Sequence, residues 1–180
     1  SKNIKTILYA GNIGIGQGLE VVLPVVAKQI GSGYRFLVIG GGGAKSKLIN
    51  AIKNSNVKNI EILPPVNREN LIEYYNDADI LFLHLNDIPA FRRVLPSKIF
   101  EYTSLRKPIV AGLSGYSAKF IVDNVPFASI FNSGDADGCV DAIKKAGSLE
   151  IKDKNIDIFV EKYSREKIMS KMAKHIFSLL

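Results

Sequence analysis

The sequence predicts a doubly wound α/β fold, a parallel sheet of six strands with helices on both faces and a long C-terminal helix. Two observations predict it. Six short runs of Val, Ile, Leu and Phe lack the polar alternation of a half-exposed strand, which is the pattern of parallel strands covered on both sides. Between these runs lie segments whose apolar residues recur at helical spacing, and regular strand–helix alternation implies right-handed crossovers. Size agrees with this. A chain of 180 residues is about one domain by length, and 47% hydrophobic residues are enough for a core.

The strands fall at residues 6–11 (TILYAG), 34–40 (YRFLVIG), 60–66 (IEILPPV), 80–85 (ILFLHL), 108–112 (PIVAG) and, with the weakest apolar run, 127–131 (FASIF). The first helix carries Leu19, Val22, Leu23, Val26 and Ile30 on one face. A second stripe is Leu71, Ile72, Tyr74 and Tyr75, and a third is Ile99, Phe100, Tyr102 and Leu105. Ser97 and Asp135 stand where helix N-caps are expected. Residues 147–155 read as a loop leading to a helical tail, 156–180, that is either one long helix or two broken near Ser164. In the tail Phe159, Val160 and Tyr163 make one apolar stripe and Ile168, Met169, Met172 and Ile176 another. The chain passes from Ser1, Lys2 and Asn3 almost directly into a strand, which predicts a piece of a longer protein that begins at a domain boundary.

Ligands of such sheets bind beyond the carboxyl ends of the strands, so the informative loops are 11–18, 40–45, 65–68, 85–97 and 112–117. The first carries Gly11, Asn12, Gly14, Gly16, Gln17 and Gly18. Glycines between a strand and a helix let backbone N–H groups approach a phosphate, or simply let the helix pack closely. The spacing is not G-x-G-x-x-G, and the second strand ends in glycines rather than in the acidic residue that would hold a dinucleotide ribose. That argues against a dehydrogenase. The second loop, Gly40 to Gly43 followed by Ala44, Lys45 and Ser46, misses the Walker A spacing, because Ala44 and Ile39 stand where that motif needs glycine. It reads as a turn whose Gly40 and Gly41 line a cleft.

The third loop runs Arg92, Arg93, Val94, Leu95, Pro96 into a helix beginning Ser97, Lys98, Ile99, Phe100, Glu101, Tyr102. Free N–H groups in the first turn and the Lys98 ammonium suit a diphosphate. Glu101, one turn on, suits ribose hydroxyls, since a carboxylate accepts charge-assisted hydrogen bonds. The plainer alternatives are a capping carboxylate for Glu101 and a solvated surface lysine for Lys98.

The run from Pro96 to Tyr102, followed by Arg106, Lys107, Pro108, Ile109, Val110 and Ala111, resembles the donor-site helix and following strand of GT-B-fold, family-four-like retaining glycosyltransferases, especially bacterial enzymes of surface-polysaccharide biosynthesis. The first loop with Leu19 and Glu20, the stretch 37–42, the stretch 70–80 and the stretch 159–166 resemble other parts of the same C-terminal domain, in order, over nearly the whole chain. The resemblance implies a Rossmann-like donor-binding half, 1–180, with 156–180 as the terminal crossover helix and an N-terminal acceptor domain lying elsewhere. It implies a nucleotide-sugar donor, UDP-linked, with no metal and no further cofactor, and a saccharide or lipid-linked acceptor.

By that resemblance Glu101 holds the ribose, and Ser97, Lys98, Gly11, Asn12, Gly14 and Gln17 surround the diphosphate. Pro65, Val66 and Asn67 read the base through their backbone. Two departures stand out. Asn12 and Gln17 are neutral where the family often carries Arg and Lys, and the first carboxylate of the family's E-x7-E pair is replaced by Arg93. Arg93 or Arg92 is then the candidate to supply phosphate charge.

Other classes find little support. The single cysteine, Cys139, excludes an internal disulfide and a cysteine-based zinc site, and it reads as a packed thiol on a helix. His84 ends a strand and reads as a core or cleft-edge histidine, far in sequence from His175. Asp77 and Asp79 read as turn residues. A receiver-type module would need acidic residues after the first strand, where Gly11 and Asn12 stand. A nucleotide-sugar epimerase half or a non-catalytic nucleotide-binding module would share the fold. A net charge of +7 favours anionic partners, but the aromatics form no stacking platform for nucleic acid. The same charge suits a cytoplasmic protein peripheral on the inner membrane face.

Overall fold

The computed structural model describes residues 4–149, 151 and 153–177. Six strands form one parallel sheet in the order β3-β2-β1-β4-β5-β6. They are β1 (Lys5–Asn12), β2 (Tyr34–Gly41), β3 (Ile60–Leu63), β4 (Ile80–His84), β5 (Ile109–Gly112) and β6 (Ala128–Phe131). The helices are α1 (Leu19–Ile30), α2 (Lys45–Ser55), α3 (Arg68–Asp77), α4 (Lys98–Ser104), α5 (Tyr116–Asn124), α6 (Ala136–Ala146), α7 (Asp153–Lys162) and α8 (Arg165–Phe177). The doubly wound sheet is therefore as expected, and the helical tail is present as two helices.

Alternation along β1 explains the two-sided core. Ile7 and Tyr9 face a cluster built with Leu19, Val22, Leu23 and Val26 of α1, Leu48 of α2 and Val140 and Ile143 of α6. Leu8 and Ala10 face the opposite cluster, with Tyr75 of α3, Ile99 and Tyr102 of α4, Phe120 and Ile121 of α5, and Ile156 and Phe159 of α7. Both faces are apolar, so β4 is buried at every position.

Local chemistry sets some boundaries away from the expected ones. β3 stops at Leu63 instead of reaching Val66, because Pro64 and Pro65 have no N–H to continue the ladder. The N-cap expected at Asp135 is present, its carboxylate accepting from Gly138 N at 2.9 Å. Ser97 occupies the cap position of α4, but its backbone is already helical and its hydroxyl makes no capping bond. Of the two alternatives for the tail, the structure has the broken one: Ser164 Oγ accepts from Lys167 N at 3.3 Å and starts α8. The loop before the tail is shorter than expected, since α7 begins at Asp153. Ser1 to Asn3, the end of the tail at 178–180 and the side chain of Ile176 lie outside the described residues.

Asp79 is more than a turn residue. Its carboxylate accepts from Thr6 N at 2.7 Å and its own N–H donates to Thr6 O at 2.9 Å, which ties the start of β4 to β1. That junction is the switch point of the winding. β1 pairs with β4 only through Ile7 and Leu8, whereas it follows β2 out to Asn12. Past Leu8 the sheet splays, and Ala10 N–H donates to the Tyr102 hydroxyl at 3.2 Å instead of to a strand.

Candidate functional site

A cleft of about 340 Å³ opens beyond the carboxyl ends of β1 and β2. Its lining combines Ala10, Gly11 and Asn12 of β1, Ile39, Gly40 and Gly41 of β2, Pro65 and Val66 of the β3–α3 loop, Leu71 of α3 and Lys98 of α4. At Gly40 the floor is backbone because nothing larger fits. A Cβ on Gly40 would lie 1.9 Å from Gly11 O, and Gly40 has a φ of +157°. Glycine is thus required for β1 and β2 to end side by side, and it leaves peptide groups open to a ligand.

Lys98 reaches over that floor. Its stem lies against Gly11, where a Cβ would sit 3.0 Å from Lys98 Cε, and the ammonium lies 5.5 Å from the Tyr102 ring centre. Lys98 Nζ donates to Glu101 Oε2 at 3.0 Å, one turn along α4. The other oxygen, Glu101 Oε1, accepts from the Tyr75 hydroxyl at 3.0 Å. Burial and then the Glu101 charge push the Tyr75 phenol well above its ordinary range, so it remains a protonated donor. Glu101 is an exposed residue held from below by a buried one, with a side chain 44% accessible. Such a carboxylate has a fixed orientation and lone pairs to offer.

The first loop turns tightly through a 3₁₀ segment, Ile15–Gln17. Gln17 Oε1 accepts from Gly14 N at 3.0 Å and from Asn12 Nδ2 at 3.1 Å, so the two neutral side chains brace the loop from within. After the fourth strand, Arg92 is fastened to Asp87 by two contacts, Nε to Oδ1 at 2.7 Å and Nη2 to Oδ2 at 2.8 Å. Its guanidinium holds the Asp87 carboxyl below the usual range. Among the described residues no cluster of three His, Cys, Asp or Glu could hold a metal ion, and no helix is long and apolar enough to cross a membrane.

Residues 1–167 match the family described as "Glycosyl transferases group 1". The chain belongs to that family. It is also 32% identical over 97 residues to WcaI of Escherichia coli K12, provisionally named a colanic acid biosynthesis glycosyl transferase, a match covering 54% of this chain and 24% of WcaI. Solved structures share the fold at lower identity. Staphylococcus aureus TarM, crystallised as a point mutant in complex with Fondaparinux, alpha-GlcNAc-glycerol and UDP, is 17% identical with a TM-score of 0.75 over 97% of this chain and 36% of that one. Anabaena HepE, in complex with UDP and glucose, is 16% identical with a TM-score of 0.72 over 98% of this chain and 49% of that one. This glycosyl transferase group 1 chain spans about half or less of those relatives.

Seven of the residues singled out in this glycosyl transferase chain line the cleft: Gly11, Asn12, Gly40, Gly41, Pro65, Val66 and Lys98. Glu101 adjoins it through Lys98, and its two oxygens serve Lys98 and Tyr75 rather than a helix cap. Gly14 and Gln17 lie in the braced first loop just outside the lining, and the Asn67 side chain is committed to capping α3, accepting from Asn70 N at 2.9 Å. Ser97 and Arg93 are exposed and lie outside the lining. α4 has only seven residues, so its dipole is short, and Lys98 is the residue of α4 that brings a full positive charge to the cleft. Cys139 and His84 are buried, as expected of packed residues. Tyr75 and Tyr102 are legible as members of the apolar stripes of their helices, but their hydroxyl roles have no signal in the spacing.

Proposed function

We propose that this chain is the donor-binding half of a retaining glycosyltransferase and holds a nucleotide-diphosphate sugar, UDP-linked, in the cleft between β1, β2 and α4. The observation that carries the reading is the combination of an open glycine floor, a lysine reaching over it, and a carboxylate oriented by a buried tyrosine one turn away. In this reading Glu101 accepts the ribose hydroxyls. Lys98, with the backbone at Gly11, Asn12 and Gly14, faces the diphosphate, and Pro65, Val66 and the Asn67 backbone meet the base. Ser97 and Gln17 complete the surround. Family membership and relatives crystallised with UDP support the same assignment.

Chemically, the donor half helps by stabilising charge on the departing nucleoside diphosphate. Lys98 and Glu101 are partners in this structure, and a ligand whose phosphates take the ammonium frees Glu101 Oε2 for the ribose. A cation placed where negative charge develops stabilises the transition state more than the ground state. Arg93, exposed after the fourth strand, is the candidate second cation, and its replacement of a carboxylate at that position removes a negative charge from the phosphate side. The acceptor, a saccharide or a lipid-linked one in polysaccharide biosynthesis, meets a separate N-terminal domain, so this chain alone transfers no sugar. The charge of +7 suits an enzyme bound peripherally at the cytoplasmic face of an anionic membrane.

Calorimetric titration with UDP, GDP, ADP and NAD tests the reading. Binding of one nucleoside diphosphate, weakened in Glu101→Ala, is expected. Binding of NAD alone, or of a nucleoside diphosphate with no response to Glu101→Ala, would sink it.

A further inference from the structure

His84 is the last residue of β4 and is completely buried, yet it lines no part of the cleft. The ring packs beside both Phe82 and Phe131, with centroid separations of 6.4 and 5.8 Å and planes 6° and 22° from parallel. Stacking alone would be served by phenylalanine. Both nitrogens are instead used. Nε2 accepts from Gly134 N at 3.0 Å, which fixes the proton on Nδ1, and Nδ1–H donates to Gln17 O at 2.6 Å.

That carbonyl belongs to the 3₁₀ turn of the first loop. The other two carbonyls of the turn are taken by Asn86, two residues beyond His84: Nδ2 donates to Ile15 O at 2.6 Å and the backbone N donates to Gly16 O at 2.8 Å. All three carbonyls of Ile15–Gln17 are therefore gripped by the exit of β4. Gly18, at φ +58°, admits the close approach, since a Cβ there would lie 1.9 Å from Asn86 Oδ1.

We infer that His84 is a positioning residue for the donor diphosphate: through the Gln17 carbonyl it fixes the first loop, whose Asn12 lines the cleft and is tied, with Gly14 N, to the Gln17 side chain. The inference rests on the donor reading above for the ligand, but not for the grip itself.

Three variants and two readouts test it on the chain as it stands, with UDP as the probe. Asparagine places an N–H donor near the position of Nδ1, glutamine reaches the position of Nε2, and phenylalanine keeps the stack with neither bond. Amide hydrogen exchange without nucleotide reads the grip, and calorimetry reads UDP affinity. In His84→Phe, exchange should rise at residues 15–18 and UDP affinity should fall about tenfold, the size of one buried hydrogen bond. His84→Asn should restore most of both, and His84→Gln should not. Unchanged exchange in His84→Phe would overturn the grip, whatever UDP does. Raised exchange with unchanged affinity would overturn the link to the donor. Losses that follow the melting temperature equally in all three variants would reduce His84 to a core residue. A wild-type chain that ignores UDP defeats the donor reading separately, and exchange still decides the grip.

Discussion

The Tyr75 hydroxyl donates to Glu101 Oε1 at 3.0 Å, from a residue only 3% exposed to one at the rim of the cleft. A bond from the core thus sets the direction of a surface carboxylate. Tyr75→Phe keeps the packing, including the edge contact with Tyr102 at 6.0 Å, and removes that restraint together with the longer contact, 3.5 Å, that the hydroxyl accepts from Lys98 Nζ. UDP affinity is expected to fall about three- to tenfold, with the melting temperature nearly unchanged, because the hydrogen bond that orients Glu101 is lost. Glu101→Ala should cost more and should also erase the preference for UDP over 2′-deoxy-UDP. Retention of that preference in Glu101→Ala would remove Glu101 from the ribose. Calorimetry on the two variants with both ligands decides it.

Lys98 and Arg93 separate by ligand rather than by size of effect alone. Lys98 lines the cleft and Arg93 does not. Lys98→Met should weaken UDP by about tenfold or more while leaving uridine binding nearly unaffected, since the lost partner is the phosphate. It should also lessen the salt dependence of UDP binding. Arg93→Ala should weaken UDP by a smaller factor. An equal loss for uridine and UDP in Lys98→Met would place the ammonium away from the phosphates.

What a sequence reveals of this fold depends on what each feature needs. The sheet is legible because a strand buried on both faces must be apolar throughout, as Ile80, Leu81, Phe82 and Leu83 are. The cleft floor is legible because Gly11 and Gly40 stand at the ends of apolar strands, where close approach of backbone is a reason for glycine. Ser97 misleads: a hydroxyl after proline fits a cap in sequence, but its backbone has already turned helical. The roles of Tyr75, Asn86 and His84 depend on contacts across 26, 71 and 67 residues, and no local spacing encodes a partner that distant. The three residues share one trait a sequence does show, a polar group on or beside an apolar run, which marks the need for a partner without naming it.

Gly40→Ala tests the floor directly. A methyl group 1.9 Å from Gly11 O has no room, and the obstacle is backbone, so β1 and β2 would have to part. A loss of at least about 2 kcal/mol is expected from the strained φ and the clash together, read as a drop in denaturation midpoint. Gly43→Ala, with nothing within 4 Å of the added carbon, is the control and should be nearly neutral. Equal stability of the two variants would mean that the floor relaxes freely.

Stability should also depend on pH through His84. Burial lowers its basicity, and the Gln17 carbonyl and the Glu20 charge oppose that only in part. The unfolded chain takes up a proton near pH 6.5, where the folded protein refuses it. Stability is therefore full above about pH 6.5, falls as pH drops through that value, and levels off once the folded form is protonated as well. Protonation also costs the Gly134 contact, because Nε2–H can no longer accept. The depressed carboxyls of Asp87 and Glu161 add their losses only at lower pH, near and below about 4. Denaturant melts at pH 7, 6 and 5 should show a falling midpoint that His84→Phe flattens, and the same slope in both proteins would assign it to another group.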